Sequence, residues 1–256
     1  CAEVHPPIVL GHEFAGTVVS VGKNVKNRKE GDRVDVDPNV LCESCPPCLA
    51  AKGHFCEHMT GIGTMVNGGF AEYVAVPAKQ THLVGEKTDL KAAAMTEPLA
   101  CCLHGIDMCD IRPGSRVLVI GAGMIGLLML QLARLSGAAL VAVSEPVAAK
   151  REEAKRLGAD ICFDPFAVSE DAFVAECEKY NFDCVIECAG NVKTIGQAIR
   201  AAGKKATVMM FGLTKPDEIV SVKPYDVFSK ELTLRSSYIN PYTQARALAL
   251  IESGRV

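Results

Sequence analysis

The chain has 256 residues, 49 % of them hydrophobic and 22 % charged, with a net charge of -3. That is room for one large or two ordinary domains, in the composition of a globular protein. The charge is spread without a basic run or an acidic tail, so nothing recruits nucleic acid or an anionic membrane.

In chain order, residues 8–36 carry short β-type runs broken by glycine, Gly16–Gly22 and then Asp32–Val36. Such runs suggest a small barrel or sandwich. Residues 37–63 form a Pro-, Cys- and Gly-rich loop. Strand character returns over residues 69–84, around Phe70–Val76. The pattern changes near residue 90. Residues 90–109 favour helix, Arg116–Ile120 reads as a buried strand, Ile125–Leu135 as a helix and Leu140–Val143 as the next strand. A charged helix follows over Lys150–Leu157. Asp183–Ile186 and Thr207–Met210 are further strands with a helix over Thr194–Ala202 between them, and Thr243–Ser253 is helical. Strands alternating with helices imply βαβ units and a parallel, doubly wound sheet. The uncharged stretch Val117–Ala133 is shorter than the roughly 20 apolar residues of a membrane span and is broken by glycines, so it reads as strand, turn and helix. The expected division is a mainly-β domain over 1–89 and an α/β domain over 90–256.

Of the 12 cysteines, Cys42, Cys45, Cys48 and Cys56 stand in the order C-x2-C-x2-C-x7-C inside the loop. Four thiolates satisfy tetrahedral Zn²⁺ and leave no open position, which predicts a structural zinc in a lobe over residues 37–63. The rival is an iron–sulfur cluster, because some ferredoxins begin with the same spacing. His54 and His58 read as solvated loop histidines. The remaining cysteines read as small buried hydrophobes, and thiols on this scale fit a reducing, cytoplasmic compartment.

Gly121-Ala122-Gly123-Met124-Ile125-Gly126 matches G-x-G-x-x-G directly after a strand and at the opening of an apolar helix. In that context Gly121 makes the tight turn, Gly123 admits backbone to a pyrophosphate and Gly126 permits close helix–strand packing. The helix start, at Met124 and Ile125, offers unpaired N–H groups to phosphate. Glu145, at the end of the next strand, is placed to accept both ribose hydroxyls and to repel a 2′-phosphate, which favours NAD over NADP. Lys150 could serve a 2′-phosphate instead; Arg151 reads as part of a solvated helix face.

Gly11-His12-Glu13 brings a histidine and a carboxylate together between β-type runs. With Phe14-Ala15-Gly16, the cysteine lobe, Gly68–Tyr73, Glu97-Pro98-Leu99-Ala100 and the glycine fingerprint, it makes the chain resemble the zinc-containing medium-chain dehydrogenase/reductase family along essentially its whole length. The resemblance implies a GroES-like catalytic domain and a Rossmann NAD-binding domain, with a second, catalytic zinc in the cleft. It implies that His12 and Glu97 are ligands of that zinc and that Glu13 is a neighbouring carboxylate that ligates or lies just outside. Glu97, where many alcohol dehydrogenases have cysteine, is similar to the sorbitol and polyol dehydrogenase branch. Cys101 and His104 on the same helix would approach the nicotinamide or serve helix packing. Glu187–Gly190, Phe211–Leu213 and Ser236–Ile239 fall where the family lines the nicotinamide pocket. The implied function is hydride transfer between a secondary alcohol, best a polyol, and NAD, in a cytoplasmic homo-oligomer, dimer or tetramer. Alternatives are an L-threonine or vicinal-diol dehydrogenase, or a non-catalytic dinucleotide-binding protein. The family's first catalytic ligand is a cysteine well upstream of its Gly-His-Glu. Only eleven residues precede His12 here and Cys1 lacks the ligand context, so Cys1 is left unassigned. The family's return of the C-terminus to the catalytic domain is also not expected, and these 256 residues read as a fragment with an incomplete GroES-like domain. Such a fragment should bind nucleotide and structural zinc without turnover.

Overall fold

The structure is a computed structural model and describes residues 4–256, so Cys1 lies outside it. The elements run β1 (Ala15–Thr17), β2 (Arg33–Val36), β3 (Asn39–Val40), α1 (Pro46–Leu49), β4 (Thr60–Gly61), β5 (Thr81–Leu83), α2 (Leu90–Ala93) and α3 (Thr96–Asp107). They continue through β6 (Arg116–Ile120), α4 (Met124–Leu135), β7 (Leu140–Ser144), α5 (Ala148–Arg156), β8 (Ile161–Phe163), α6 (Glu170–Glu178) and β9 (Phe182–Glu187). Last come α7 (Val192–Ala201), β10 (Ala202–Met210), α8 (Pro224–Lys230), β11 (Thr233–Arg235) and α9 (Gln244–Glu252). The chain forms two compact units, one of residues up to 101 with 239–256, the other of residues 102–238.

The first unit contains an antiparallel sheet in the order β1-β2-β5 and a separate β3–β4 pair. The strand expected around Phe70–Val76 does not form. Residues 68–70 instead give their N–H groups to the carbonyls of Val9, Gly11 and Leu10 at 2.8–2.9 Å, and beyond them no strand among the described residues pairs with 71–76. Phe70 and Tyr73 are left exposed. The expected helix over 90–109 is two helices. Proline at 98 has no N–H for the carbonyl of Ala94 and its ring would crowd it, so the chain turns and restarts with Pro98 in the first turn of α3.

The second unit is a six-stranded parallel sheet in the order β11-β10-β9-β6-β7-β8. Helices on both faces of such a sheet demand apolar side chains on both sides of a strand. Val117, Leu118 and Val119 meet that demand and are fully buried. One core joins Leu118 and Val185 of the sheet to Phe173, Phe182, Ile199 and Val208. No helix among the described residues is long and apolar enough to cross a membrane.

The sequence placed its one boundary at 89/90 and expected no C-terminal return. The compact units divide instead at 101/102 and 238/239, and α9 belongs with the first unit. The cause is a polar chain that no local pattern announces. Gln244 Nε2 donates to Asp35 Oδ1 at 2.8 Å and Asn240 Nδ2 to Gln244 Oε1 at 3.0 Å. Asn39 Nδ2 donates to Asn240 Oδ1 at 2.6 Å, and Thr243 Oγ1 to the carbonyl of Ala100 at 2.7 Å. Leu248 packs beside Val84 and Ala93.

Asp35 is 1 % exposed, and its Oδ2 is buried without a partner. Burial pushes its carboxyl from 3.8 up to about 7, against the pull of the Gln244 hydrogen bond. Between those values the unfolded chain has released this proton and the folded chain has kept it, so stability falls as pH rises. Asp35→Asn keeps the acceptor for Gln244 and removes the charge. In metal-stripped protein we expect it to gain roughly 2 kcal/mol at pH 8 and almost nothing near pH 4, by urea unfolding. An equal gain at both pH values would contradict a buried, titrating Asp35.

Candidate metal centres and dinucleotide site

The cysteine lobe closes on itself. Cys45 stands at the start of α1, where Pro46 needs no hydrogen-bond partner and sets the turn. Cys42 and Cys48 sulfurs lie 4.0 Å apart, and those of Cys45 and Cys56 3.9 Å apart. Tetrahedral sulfurs about 2.3 Å from one zinc ion lie about 3.8 Å from each other. The four fit one ion, and a cluster of several irons would hold them further apart. Backbone N–H groups already point at the sulfurs, from Cys45 to Cys42 Sγ and from Cys42 to Cys56 Sγ, both at 3.4 Å. The backbone N–H groups of Ser44 and Cys45 pull the Cys42 thiol down to about 5, whereas loss of water and the neighbouring thiols push Cys48 up. Four thiolates at this separation cannot coexist without a cation, and a divalent ion supplies it. His54 is half-buried and His58 exposed, and neither belongs to the four-sulfur group.

His12, Glu13 and Glu97 form the second group, with one possible ligand atom of each within 4.8 Å of the others. His12 Nε2 is 3.9 Å from Glu13 Oε1, and both side chains reach solvent. Glu97 is buried in the first turn of α3 and accepts a hydrogen bond from Cys101 Sγ at 3.5 Å. Burial and then the charge of Glu13 push its carboxyl from 4.5 up to about 7. A histidine and two carboxylates make a three-ligand set of the kind that leaves a metal open to substrate. A cation would also relieve the like-charge pair that raises Glu97. The glycines that hold His12 in place were not singled out as site residues in the sequence. Gly11 has φ 106°, and a Cβ on Gly63 or Gly68 would come within 2.1 Å of the Gly11 carbonyl oxygen. Gly11 and Gly68 stand in motifs that carry the family resemblance, and Gly63 gives no signal beyond a glycine in a loop.

In the second unit the glycine turn follows β6 and opens α4. Gly121 has φ 97°, and a Cβ on Gly126 would sit 1.9 Å from the Gly121 carbonyl oxygen, so helix and turn touch backbone to backbone. A Cβ on Gly123 would meet nothing within 4 Å. The protein itself does not need a glycine there; the open space above a helix start is what a pyrophosphate would use. No side chain caps α4, so the N–H groups at Met124 and Ile125 face that space with only Gly123 before them. Glu145 is nearly buried at the end of β7. Its Oε2 accepts from Ala122 N at 2.8 Å and its Oε1 from Val147 N at 3.0 Å, which ties it to the turn. Lys150 is exposed on α5. Arg151 does not lie on a solvated face as expected: it donates to the carbonyls of Glu145 and Pro146 and pairs with Asp164 at 3.2 Å, because α5 turns it back over the end of β7. His104 is half-buried on α3.

Comparison with known proteins fits both halves. Residues 2–86 match the alcohol dehydrogenase GroES-like domain and residues 125–253 the zinc-binding dehydrogenase model. The chain belongs to the zinc-binding dehydrogenases. It is 33 % identical over 254 residues to D-arabinitol dehydrogenase 1 of Uromyces fabae, covering 98 % of this chain and 72 % of that protein. It is 31 % identical to L-threonine 3-dehydrogenase of Caldanaerobacter subterraneus subsp. tengcongensis, covering 99 % and 73 %. A zinc-binding dehydrogenase of Sinorhizobium meliloti 1021 solved with NADP superposes with a TM-score of 0.95 at 40 % identity, over 99 % of this chain and 75 % of that one. The protein is thus an oxidoreductase of the zinc alcohol dehydrogenase type, with a GroES-like and a Rossmann domain and with zinc and a nicotinamide dinucleotide as cofactors.

Cys45→Ser removes one sulfur from a closed set. We expect metal analysis to find one zinc fewer per chain and the melting temperature to fall. Iron with acid-labile sulfide in the wild type would refute the single-ion reading.

Proposed function

We propose that the protein oxidises a secondary alcohol of a polyol and passes the hydride to NAD, with His12, Glu13 and Glu97 holding the catalytic zinc and Cys42, Cys45, Cys48 and Cys56 the structural one. The observation that carries this is the convergence of His12, Glu13 and Glu97 within 4.8 Å. Zinc bound there would supply a Lewis acid to the substrate hydroxyl. Glu97, half-protonated near neutral pH by its burial, would give up that proton to bind metal, so affinity should strengthen as pH rises through about 7. Hydride acceptance is the cofactor's chemistry, and the chain's part is to hold it. The open space over Gly123 and the free N–H groups of α4 suit its pyrophosphate. Glu145, fixed at both oxygens by backbone donors, cannot swing aside for a 2′-phosphate, which supports NAD.

Among the relatives, arabinitol and galactitol-1-phosphate dehydrogenases favour a polyol, while threonine and butanediol dehydrogenases keep an amino alcohol or a vicinal diol as the second reading. Thiolate ligands need a reducing compartment, and we place the protein in the cytoplasm. Exposed Ile219, Tyr225 and Phe228 on one stretch of the second unit support a homo-oligomer, which sedimentation would measure.

The test is NADH formation by the full-length protein with hexitols, pentitols, threonine and 2,3-butanediol. We expect a polyol to give the highest kcat/KM, and His12→Ala and Glu97→Ala each to lower it by at least about a hundredfold with loss of one zinc. A variant that keeps full activity would remove that residue from the ligand set. A full-length protein that binds dinucleotide and oxidises none of these alcohols would favour the non-catalytic reading. For the cofactor, Glu145→Ser should narrow the preference for NAD. Wild type that binds NADP as tightly as NAD would refute the role of Glu145.

A further inference from the structure

We propose that Glu187 is a positioning residue for the dinucleotide: its buried carboxyl fixes the turn Cys188–Gly190 in the form the cofactor meets. The strand order reverses between β6 and β9, and in open parallel sheets ligands bind outside the carboxyl ends of strands at that reversal. Glu187 is the last residue of β9, in register with Ile120 of β6 on one side and Met210 of β10 on the other. It therefore lies under the crevice that the glycine turn borders.

Its contacts reach all three strand ends. Oε1 accepts from Ala189 N at 2.8 Å, Gly190 N at 2.9 Å and Thr194 Oγ1 at 2.7 Å. Its carbonyl accepts from Phe211 N and Gly212 N at 3.0 and 2.8 Å, and Cys188 N donates to the carbonyl of Ile120 at 2.8 Å. The turn so held packs without room to move. A Cβ on Gly212 would lie 2.3 Å from Gly190 N and 2.8 Å from Glu187 Oε2, and a Cβ on Gly121 3.2 Å from Ala189 N.

A carboxyl is an expensive way to close a turn. Glu187 is fully buried and its Oε2 has no partner, which carries a desolvation cost. Helix initiation does not require it, because Asn191 already caps α7 through Thr194 N at 3.0 Å. What the carboxyl adds is one oxygen on which three donors converge. That convergence locks the 188–190 backbone between the phosphate turn and the 211–213 segment. Costly polar groups of this kind gather at functional sites. Neither the glycine fingerprint nor the metal groups involve Glu187, so its role is separate from theirs.

The inference rests on the reading of Gly121–Gly126 as the dinucleotide site. The experiment uses the full-length protein and titrates NADH into wild type, Glu187→Gln, Glu187→Ala and Thr194→Val by fluorescence, with the melting temperature of each and the steady-state KM for NAD beside it. In Glu187→Ala we expect the Kd for NADH and the KM for NAD to rise about tenfold, with the KM for the alcohol unchanged. Glu187→Gln keeps one acceptor oxygen for the three donors and should stay within about threefold of wild type. A folded Glu187→Ala with wild-type Kd overturns the proposal, as does Glu187→Gln as impaired as Glu187→Ala. Should Glu187→Ala not fold, Thr194→Val decides, since it removes one donor to Oε1: a Kd raised about threefold supports the proposal and an unchanged Kd overturns it. Wild type that binds no NADH would instead defeat the reading of the glycine turn itself.

Discussion

Three of the contacts in which backbone lies against backbone, at distances no Cβ tolerates, carry the histidine–carboxylate group, the phosphate turn and the end of β9. Gly63 and Gly68 close on the carbonyl of Gly11 and so fix the peptide before His12. Gly126 closes on Gly121 and fixes the phosphate turn, and Gly212 closes on Gly190 and fixes the end of β9. A side chain at any of these points would push the two segments apart. Close packing of this kind leaves little slack, so groups carried on the adjoining residues keep their positions before any ligand arrives.

On that frame the chain gathers negative charge. Four thiols stand about 4 Å apart, and Glu13 faces Glu97. Loss of water, and after it the neighbouring thiols for Cys48 and the charge of Glu13 for Glu97, hold both groups protonated to higher pH than usual. A cation of two charges reverses both effects, and the thiol and mixed His–carboxylate donor sets are the two kinds that suit a closed and an open zinc site. The glycine turn is the complement: N–H groups without partners and a helix dipole that favour an anion.

The sequence by itself determined the order of the two architectures and the chemistry of the local motifs. The cysteine spacing fixed the four-sulfur lobe because its ligands are within a few residues of one another. The apolar runs at 116–120 and 183–186 and the glycines between 121 and 126 fixed the βαβ unit, because a buried parallel strand and its turn are local patterns. The pairing of His12 with Glu97, 85 positions away, was legible only through the resemblance to a family.

Tertiary structure decided what depends on distant partners. Phe70–Val76 has the composition of a strand, but a strand exists only where another backbone pairs with it. The end of the chain joined the first unit because Asp35, Asn39 and Ala100 accept or donate to residues 240–244, an exchange between positions more than 140 apart. Arg151 left the solvated face because α5 aims it at the carbonyls behind β7. Glu187 reads in sequence as the first residue of a strand end that, by the resemblance to the family, lines the nicotinamide pocket. Only the convergence of Ala189, Gly190 and Thr194 on a single oxygen gives its carboxyl a role, because hydrogen bonds are made in space and the spacing of residues along a chain does not encode them.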